Sequence, residues 1–372
     1  MEASGDALLA SLLPHLRALH PNLRWVGMGG PLSAAAGLEV VVDPRPLATH
    51  GLTEALGALP ATLRALRRLR ALADQARALL LVDAPELNTR LLSHARARAL
   101  PVAYLAPPQA WAWRPGRARL LMEARWVGCL FGFEAEWYRA RGAHAAEVGH
   151  PLRLAPSPRL DPEGGHLLLC PGSRASAARR ALPLSLAALA ALNARRALSG
   201  DPPLRGVLAL SPWLAGVEGV AGVAGEARAL AARLGVTLEV CLGMREAMEG
   251  ARIALCHAGT ATLELGLAGL PFVAIAPLSP LSAAVARALV RAPHYALPNL
   301  ILGARVCEEL PPRPLSPTAA AEALERLLSA GRWEAARAGL GALSERVLAP
   351  RAQEVALDLS RALALSAPNE AG

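Results

Sequence analysis

Five places in this 372-residue chain combine side chains that could do chemistry. The first is Asp83-Ala84-Pro85-Glu86-Leu87-Asn88, which follows the apolar run Ala78–Val82. A carboxylate at the carboxyl end of a buried strand is well placed to act as a general base in a cleft. The plain alternative is a turn aspartate ahead of Pro85. The second is Pro171-Gly172-Ser173-Arg174, after the run Leu167–Cys170. Glycine lets the backbone approach an anion, Ser173 can cap, and a helix N-terminus offers unpaired N–H groups to a phosphate. Arg174 adds a forked cation, although any strand–turn–helix uses glycine and serine. The third is His257-Ala258-Gly259-Thr260-Ala261-Thr262-Leu263-Glu264, after Ile253–Cys256. There Glu264 falls one turn into a helix, able to accept from ribose hydroxyls or to serve as a partner of the helix dipole. The fourth is aromatic: four of the seven tryptophans are Trp111, Trp113, Trp126 and Trp137. They could line an acceptor pocket, though aromatic rings more often pack a core. The fifth is His150 before Pro151, a substrate contact or a structural histidine.

The first three of these places lie where a short apolar run ends. The candidate strands are Leu23–Val26, Leu38–Val42, Ala78–Val82, Val102–Leu105, Trp126–Phe131 and Ala145–Val148. A second series comprises Leu167–Cys170, Gly206–Leu210, Thr237–Cys241, Ile253–Cys256 and Pro271–Ala276. Ala/Leu/Arg-rich helices such as Ala61–Ala78, Arg179–Ala197 and Ala227–Leu234 lie between them. Continuous apolar strands alternating with helices predict parallel sheets covered on both faces, an α/β fold. The Pro/Gly-rich stretch 154–165 separates the series and reads as a linker. The expected organisation is therefore a domain over 1–153, that linker, a second domain over 166–332, and closing helices over 333–366 that return toward the first domain. Two doubly wound domains facing each other take ligands at the carboxyl ends of their strands.

Composition excludes several classes. With 53% hydrophobic and 19% charged residues the chain is no disordered segment. The net charge of +9 suggests nucleic acid at first sight, but all 39 basic residues are arginine and isoleucine occurs only at 253, 275 and 301. That pattern reads as GC-rich codons, and the arginines are scattered without a recognition motif, so no nucleic-acid partner is expected. Five dispersed cysteines form no CxxC pair, which predicts neither a disulfide framework nor structural zinc. Cys170, Cys241 and Cys256 read as buried small hydrophobes. Glu2 and Asp6 stand where a signal peptide needs positive charge. Prolines 271, 277 and 280 break the uncharged window Leu265–Ala286, so no membrane span is expected.

Taken together in order, the motifs resemble lipid-A-disaccharide synthase, an inverting glycosyltransferase family of the GT-B fold. The resemblance runs from Glu2 to about Leu310. It is carried by Glu2-Ala3-Ser4-Gly5-Asp6, Val26-Gly27-Met28-Gly29-Gly30-Pro31, Gly51-Leu52-Thr53-Glu54 and the Asp83–Asn88 turn. Trp111–Arg114, Phe133-Glu134, Gly149-His150-Pro151, Pro171–Arg174, Gly259–Glu264 and Leu297-Pro298-Asn299 continue it. It implies transfer of a 2,3-diacylglucosamine unit from its UDP derivative to 2,3-diacylglucosamine 1-phosphate, giving UDP and a β-1,6 disaccharide without a metal or other cofactor. Asp83 is then implied as the base on the acceptor 6-hydroxyl. The implied donor-binding residues are Gly172, Ser173, Arg174, Gly259, Thr260, Thr262, Glu264 and Asn299. The implied acceptor or cleft residues are Ser4, Gly5, Asp6, Glu54, Asn88, Trp111, Trp113, Arg114 and His150.

The chain departs from that pattern in several places. The family carries a strand and a glycine before Glu2, where this chain has Met1, so the resemblance implies that the first amino-terminal strand is missing; either the start codon is assigned late, the favoured reading, or the protein lacks that edge of its acceptor domain. Glu86 stands for an aspartate, Gly132 for a proline, Ala177 for a glutamate, Ala258 for a serine and Pro312 for a glutamine. These bear on nucleotide affinity and acyl preference. Other UDP-N-acetylglucosamine-using GT-B enzymes, or a non-catalytic degenerate relative, are the alternatives. Lipid-linked substrates imply a cytoplasmic protein peripheral to the inner membrane. Arg64, Arg67, Arg68, Arg70 and Arg77, with Leu63, Leu66 and Leu69 at helical spacing, suit an anionic lipid surface or an ordinary solvated face equally. Leu278–Val290 is a second candidate surface, and a homo-oligomer is compatible with the sequence.

Overall fold

The computed structural model describes residues 3–44, 52–113, 115–172, 175–211, 219–277, 290, 292–311 and 315–365. In chain order its elements begin α1 (Ala3–Leu19), β1 (Val26–Met28), α2 (Pro31–Ala35), β2 (Glu39–Val42), α3 (Leu52–Ala73) and β3 (Leu79–Val82). They continue α4 (Pro85–Arg96), β4 (Val102–Leu105), α5 (Ala118–Leu121), β5 (Trp126–Cys129), α6 (Gly132–Arg139) and β6 (Ala145–Glu147). Next come β7 (His166–Cys170), α7 (Ala175–Leu198), β8 (Gly206–Leu210), α8 (Gly219–Arg233), β9 (Leu238–Leu242) and α9 (Met244–Met248). Then follow β10 (Ala251–His257), α10 (Thr260–Leu267), β11 (Phe272–Ile275), α11 (Leu297–Leu302) and β12 (Glu308–Glu309). The last are α12 (Pro317–Leu328), α13 (Arg332–Gly341), α14 (Leu343–Arg346) and α15 (Ala352–Ala362).

The chain divides into two compact units, 1–154 with 348–372, and 155–347. In the first, β3-β4-β5-β6 form a four-stranded sheet and β1-β2 a two-stranded one, every pair parallel. Strand residues point alternately to opposite faces, and here the alternation divides two apolar layers. Leu81, Val102, Tyr104, Val127 and Cys129 pack with α3, α4 and α6. Val82, Ala103, Leu105 and Trp126 pack instead with Leu8, Leu9, Leu12, Leu13 and Leu16 of α1 and with Val355, Ala356 and Leu359 of α15. The closing helix therefore belongs to the first unit, where Ser360 also meets the His20 ring at 2.8 Å. α13 and α14 remain with the second.

The second unit holds a six-stranded parallel sheet in the order β12-β11-β10-β7-β8-β9. Its core joins Leu167, Leu169, Leu208, Ile253 and Val273 to α7, α8 and α12. The 154–165 stretch is no free linker. Asp161 N–H donates to Ala251 O at 3.1 Å and Gly250 N–H to Arg159 O at 2.8 Å, fastening it beside β10. A Cβ on Gly165 would lie 2.3 Å from the Asp161 carbonyl oxygen, which is why glycine stands there. Cys241, expected in a core, is only partly buried because β9 is an edge strand. Among the described residues no helix is long and apolar enough to cross a membrane.

The docking of α15 supplies a stability test. Leu359 is fully buried between α1 and the sheet. Leu359→Ala is expected to lower unfolding free energy by about 2–5 kcal/mol in urea titration; a loss under about 1 kcal/mol would show that α15 is not part of that core.

Candidate active site

Four neighbouring parallel strands deliver four different groups to one edge of the first unit. Asp83 follows β3, Trp111 and Trp113 lie in the loop after β4, Phe131–Glu134 follow β5, and His150 follows β6. Asp83 and Ala84 both adopt left-handed backbone, with φ of 49° and 43°. That conformation costs non-glycine residues roughly 1–2 kcal/mol each, so something must hold it. The Asp83 N–H donates to Leu105 O at 3.0 Å, extending the β3–β4 ladder by one residue. The Asp83 carbonyl accepts from Tyr104 Oη at 2.7 Å and from Asn88 Nδ2 at 2.6 Å. Asn88 Nδ2 also donates to Val82 O at 3.1 Å. Burial drives the Tyr104 phenol far above its usual range, so it stays a proton donor throughout the working pH range. The aspartate side chain is thus presented from an immobilised backbone.

The segments that follow the other three strands of this sheet carry a row of rings. Trp111 meets Phe133 edge-on at 5.0 Å, Phe133 stacks on Phe131 at 5.9 Å, and Phe131 stacks on His150 at 5.6 Å. His150 is buried, its Nδ1 accepts from Leu152 N–H at 3.2 Å, and desolvation lowers its pKa to about 4. It is a neutral plate at physiological pH. The Arg117 guanidinium lies 5.3 Å from the centre of Trp113, a cation–π contact, and also pairs with Glu86 at 2.7 Å. Trp126 and Trp137 do not join the row. Trp126 is in the core against α1, and Trp137 packs edge-on against Tyr138 under Arg141. Arg114 lies outside the described residues.

In the second unit the strand order reverses between β7 and β10, where Cys170 and Cys256 pair in register. The carboxyl end of such a switch point is where doubly wound sheets take ligands. Gly172 and Gly259 lie there with φ of 108° and 148°, values that favour glycine. A Cβ at Gly259 would meet nothing within 4 Å, and no side chain caps α10. In its first turn the Thr262 N–H already donates to Gly259 O at 3.0 Å, and the N–H groups ahead of it, at Gly259 and Thr260, are placed to meet an anion. Gly259 and Thr260 are exposed, and Glu264 is partly buried one turn on. Desolvation, and secondarily Glu246, raise the Glu264 pKa to about 7. Ser173 and Arg174 fall outside the described residues.

Several expected contact residues have interior tasks instead. Thr262 Oγ1 donates to Gly259 O at 2.7 Å and accepts from Leu297 N–H at 3.1 Å, binding α10 to α11. Asn299 is fully buried; its Oδ1 accepts from the N–H groups of Val306 and Cys307 at 2.8 and 3.0 Å, while Nδ2 donates to Cys307 O. Asp6 is fully buried too. It accepts from the N–H groups of Gly30, Leu32 and Ser33 and from the Ser33 hydroxyl, capping α2. Gly5 is buried and Ser4 exposed on α1, while Glu54 lies on α3 with its side chain outside the described set. Asp6, Thr262 and Asn299 shape these edges from within. Among the described residues no group of three or more His, Cys, Asp or Glu is arranged to hold a metal ion.

Glu264 carries a pH signature. Its folded pKa of about 7 exceeds the ordinary 4.5, so between those values the folded chain holds a proton that the unfolded chain lacks. Stability falls as pH rises through that window. Glu264→Gln is expected to raise the melting temperature at pH 8 and to leave it nearly unchanged at pH 5. Equal shifts at both would contradict this.

The chain is similar to the lipid-A-disaccharide synthase of Anaeromyxobacter dehalogenans, 38% identical over 365 residues covering 92% of this chain and 90% of that one. The Myxococcus xanthus lipid-A-disaccharide synthase is 34% identical over 378 residues, covering 96% and 95%. Among solved structures, S. aureus MnaA with UDP aligns with a TM-score of 0.59 at 11% identity over 98% of this chain and 97% of that one. UDP-GlcNAc 2-epimerase from Neisseria meningitidis bound to UDP-GlcNAc gives 0.56 at 10% identity, covering 97% and 98%. These two likenesses bear on the fold alone, which is GT-B. The model of the lipid-A-disaccharide synthetase family matches residues 1–195 and 229–340, and the chain belongs to that family.

Proposed function

We propose that this chain condenses UDP-2,3-diacylglucosamine with 2,3-diacylglucosamine 1-phosphate, releasing UDP and lipid A disaccharide 1-phosphate with inversion. The observation that carries the reading is the aspartate on its fixed left-handed turn, in a chain of this family. The Asp83 carboxylate removes the proton from the acceptor 6-hydroxyl as that oxygen attacks the donor anomeric carbon. The bond from that carbon to the diphosphate breaks, its electron pair leaving with UDP, and one displacement inverts the centre. Charge developing on the leaving group needs donors already aimed at it. Gly172, Ser173 and Arg174 and the first N–H groups of α10 at Gly259 and Thr260 are assigned that task. Glu264 receives the ribose hydroxyls as a carboxylate. Trp111, Trp113, Arg114 and His150, with Ser4, Gly5 and Glu54, form the acceptor side. Asn88 serves by fixing the Asp83 carbonyl.

Both substrates carry acyl chains, which favours catalysis at a lipid surface, here the cytoplasmic face of the inner membrane. Arg64, Arg67 and Arg68 are exposed on α3 and join no ion pair among the described residues, while Leu66 and Leu69 are buried beneath them. Leu63, expected in the same apolar stripe, is 41% exposed among these arginines, which suits contact with a bilayer interface. Arg77 is not part of this face, because α3 ends at Ala73. Of the second candidate surface, Leu278–Val290, residues 278–289 lie outside the described residues, and Val290 is exposed.

Two experiments test this reading. Asp83→Asn is expected to lower kcat at least about a hundredfold, the usual worth of a general base, while UDP affinity by calorimetry stays at the wild-type value; undiminished turnover would sink the assignment. The double variant Arg67→Glu/Arg68→Glu should weaken co-sedimentation with anionic vesicles, each lost cation removing about 1 kcal/mol. Unchanged sedimentation would remove α3 from the membrane-facing surface.

A further inference from the structure

A second carboxylate lies at the same strand edge as Asp83, and the reaction described above gives it no task. Glu134, in the first turn of α6, is 5% exposed, and its Oε1 accepts the indole N–H of Trp111 at 3.0 Å. Burying a carboxylate is unfavourable. Here desolvation raises its pKa to about 7, against the opposing pull of the Trp111 hydrogen bond. The group is best understood through what it holds. Two side-chain hydrogen bonds tie the loop after β4 to α6, beside the edge-on contact of Trp111 with Phe133. At one the Tyr138 hydroxyl donates to the Pro108 carbonyl and anchors backbone. At the other Glu134 fixes a side chain, the Trp111 ring. The far end of the loop is tied toward the Asp83 turn, because Arg117 pairs at 2.7 Å with Glu86 in the first turn of α4. Trp111 is thus held against α6, at one end of the ring row through Phe133 and Phe131 to His150.

We propose that Glu134 is a positioning residue for acceptor recognition: by holding the Trp111 indole N–H, it sets that ring as a flat wall at the Asp83 edge, against which the acceptor sugar lies. The inference rests on the reading of this edge as the acceptor side. An indole suits the role, offering a large rigid apolar face with few rotors to freeze. A glutamine at 134 keeps an oxygen that can accept the same N–H, whereas leucine fills the space and accepts nothing.

The test varies the acceptor, 2,3-diacylglucosamine 1-phosphate, at fixed UDP-2,3-diacylglucosamine and follows UDP release. Glu134→Leu is expected to raise the acceptor KM about tenfold, the worth of one good hydrogen bond, with the donor KM unchanged. Glu134→Gln should restore the wild-type acceptor KM. Near-ultraviolet circular dichroism should change in Glu134→Leu, and that change should vanish when Trp111→Phe is already present. An unchanged acceptor KM in a folded Glu134→Leu protein overturns the inference, as does an equal rise in both KM values. Should Glu134→Leu fail to fold, Trp111→Phe carries the same expectation and the same refutation. Asp83→Asn, run alongside, reports separately: its turnover bears on the base, and the acceptor KM of the Glu134 variants bears on the wall.

Discussion

The constraint on which the first unit turns is the left-handed step at Asp83 and Ala84. Two successive non-glycine residues with positive φ would relax if they were free. They are held because the strand before them is locked into the sheet and the Asp83 carbonyl has two buried donors. Those donors come from different elements, Tyr104 from β4 and Asn88 from α4. The packing that buries Tyr104 and Asn88 therefore fixes the direction in which Asp83 leaves the strand. A general base contributes only when its oxygen is within hydrogen-bond reach of the proton it takes. For the base proposed at Asp83, the core sets that reach through one carbonyl oxygen.

The same economy recurs at the second unit. Thr262 and Asn299 have the polarity of ligand contacts, yet each spends it on backbone. Thr262 joins α10 to α11, and Asn299 closes the 303–307 turn. What remains open at that edge is mostly main chain: two glycines with positive φ and an uncapped helix N-terminus. Main-chain N–H groups bring no rotamer entropy to an anion and need no reorganisation as charge develops. The partly buried Glu264 sets the balance, since its charged form is disfavoured by the burial that orients it.

Strand placement was legible where a strand is buried on both faces. Val102–Leu105 and Gly206–Leu210 lie where continuous apolar runs put them. It failed at edges. The first run, read as Leu23–Val26, pairs as Val26–Met28, because register there is set by β2 and not by hydrophobicity. The two-residue β12 is too short to leave any periodicity. Helix limits drifted likewise: α3 covers Leu52–Ala73, since the apolar pattern beyond Ala73 belongs to the approach to β3. Of the site, the aspartate and the glycine turns could be read from spacing, because their chemistry lies in the residue and its place after a strand. Tyr104 could not, being one aromatic in an apolar run whose hydroxyl matters only through a neighbour 21 positions away. Nor could the inward tasks of Asp6 and Asn299, since polar residues in family motifs look the same whether they face a ligand or a buried backbone.

The account comes down to one reaction. The direct measurement is product analysis after incubating the purified protein with UDP-2,3-diacylglucosamine and 2,3-diacylglucosamine 1-phosphate, reading the new anomeric centre by proton NMR. The account predicts one UDP released for each β-1,6-linked disaccharide formed. UDP release without disaccharide, or a product retaining the donor's anomeric configuration, would contradict it.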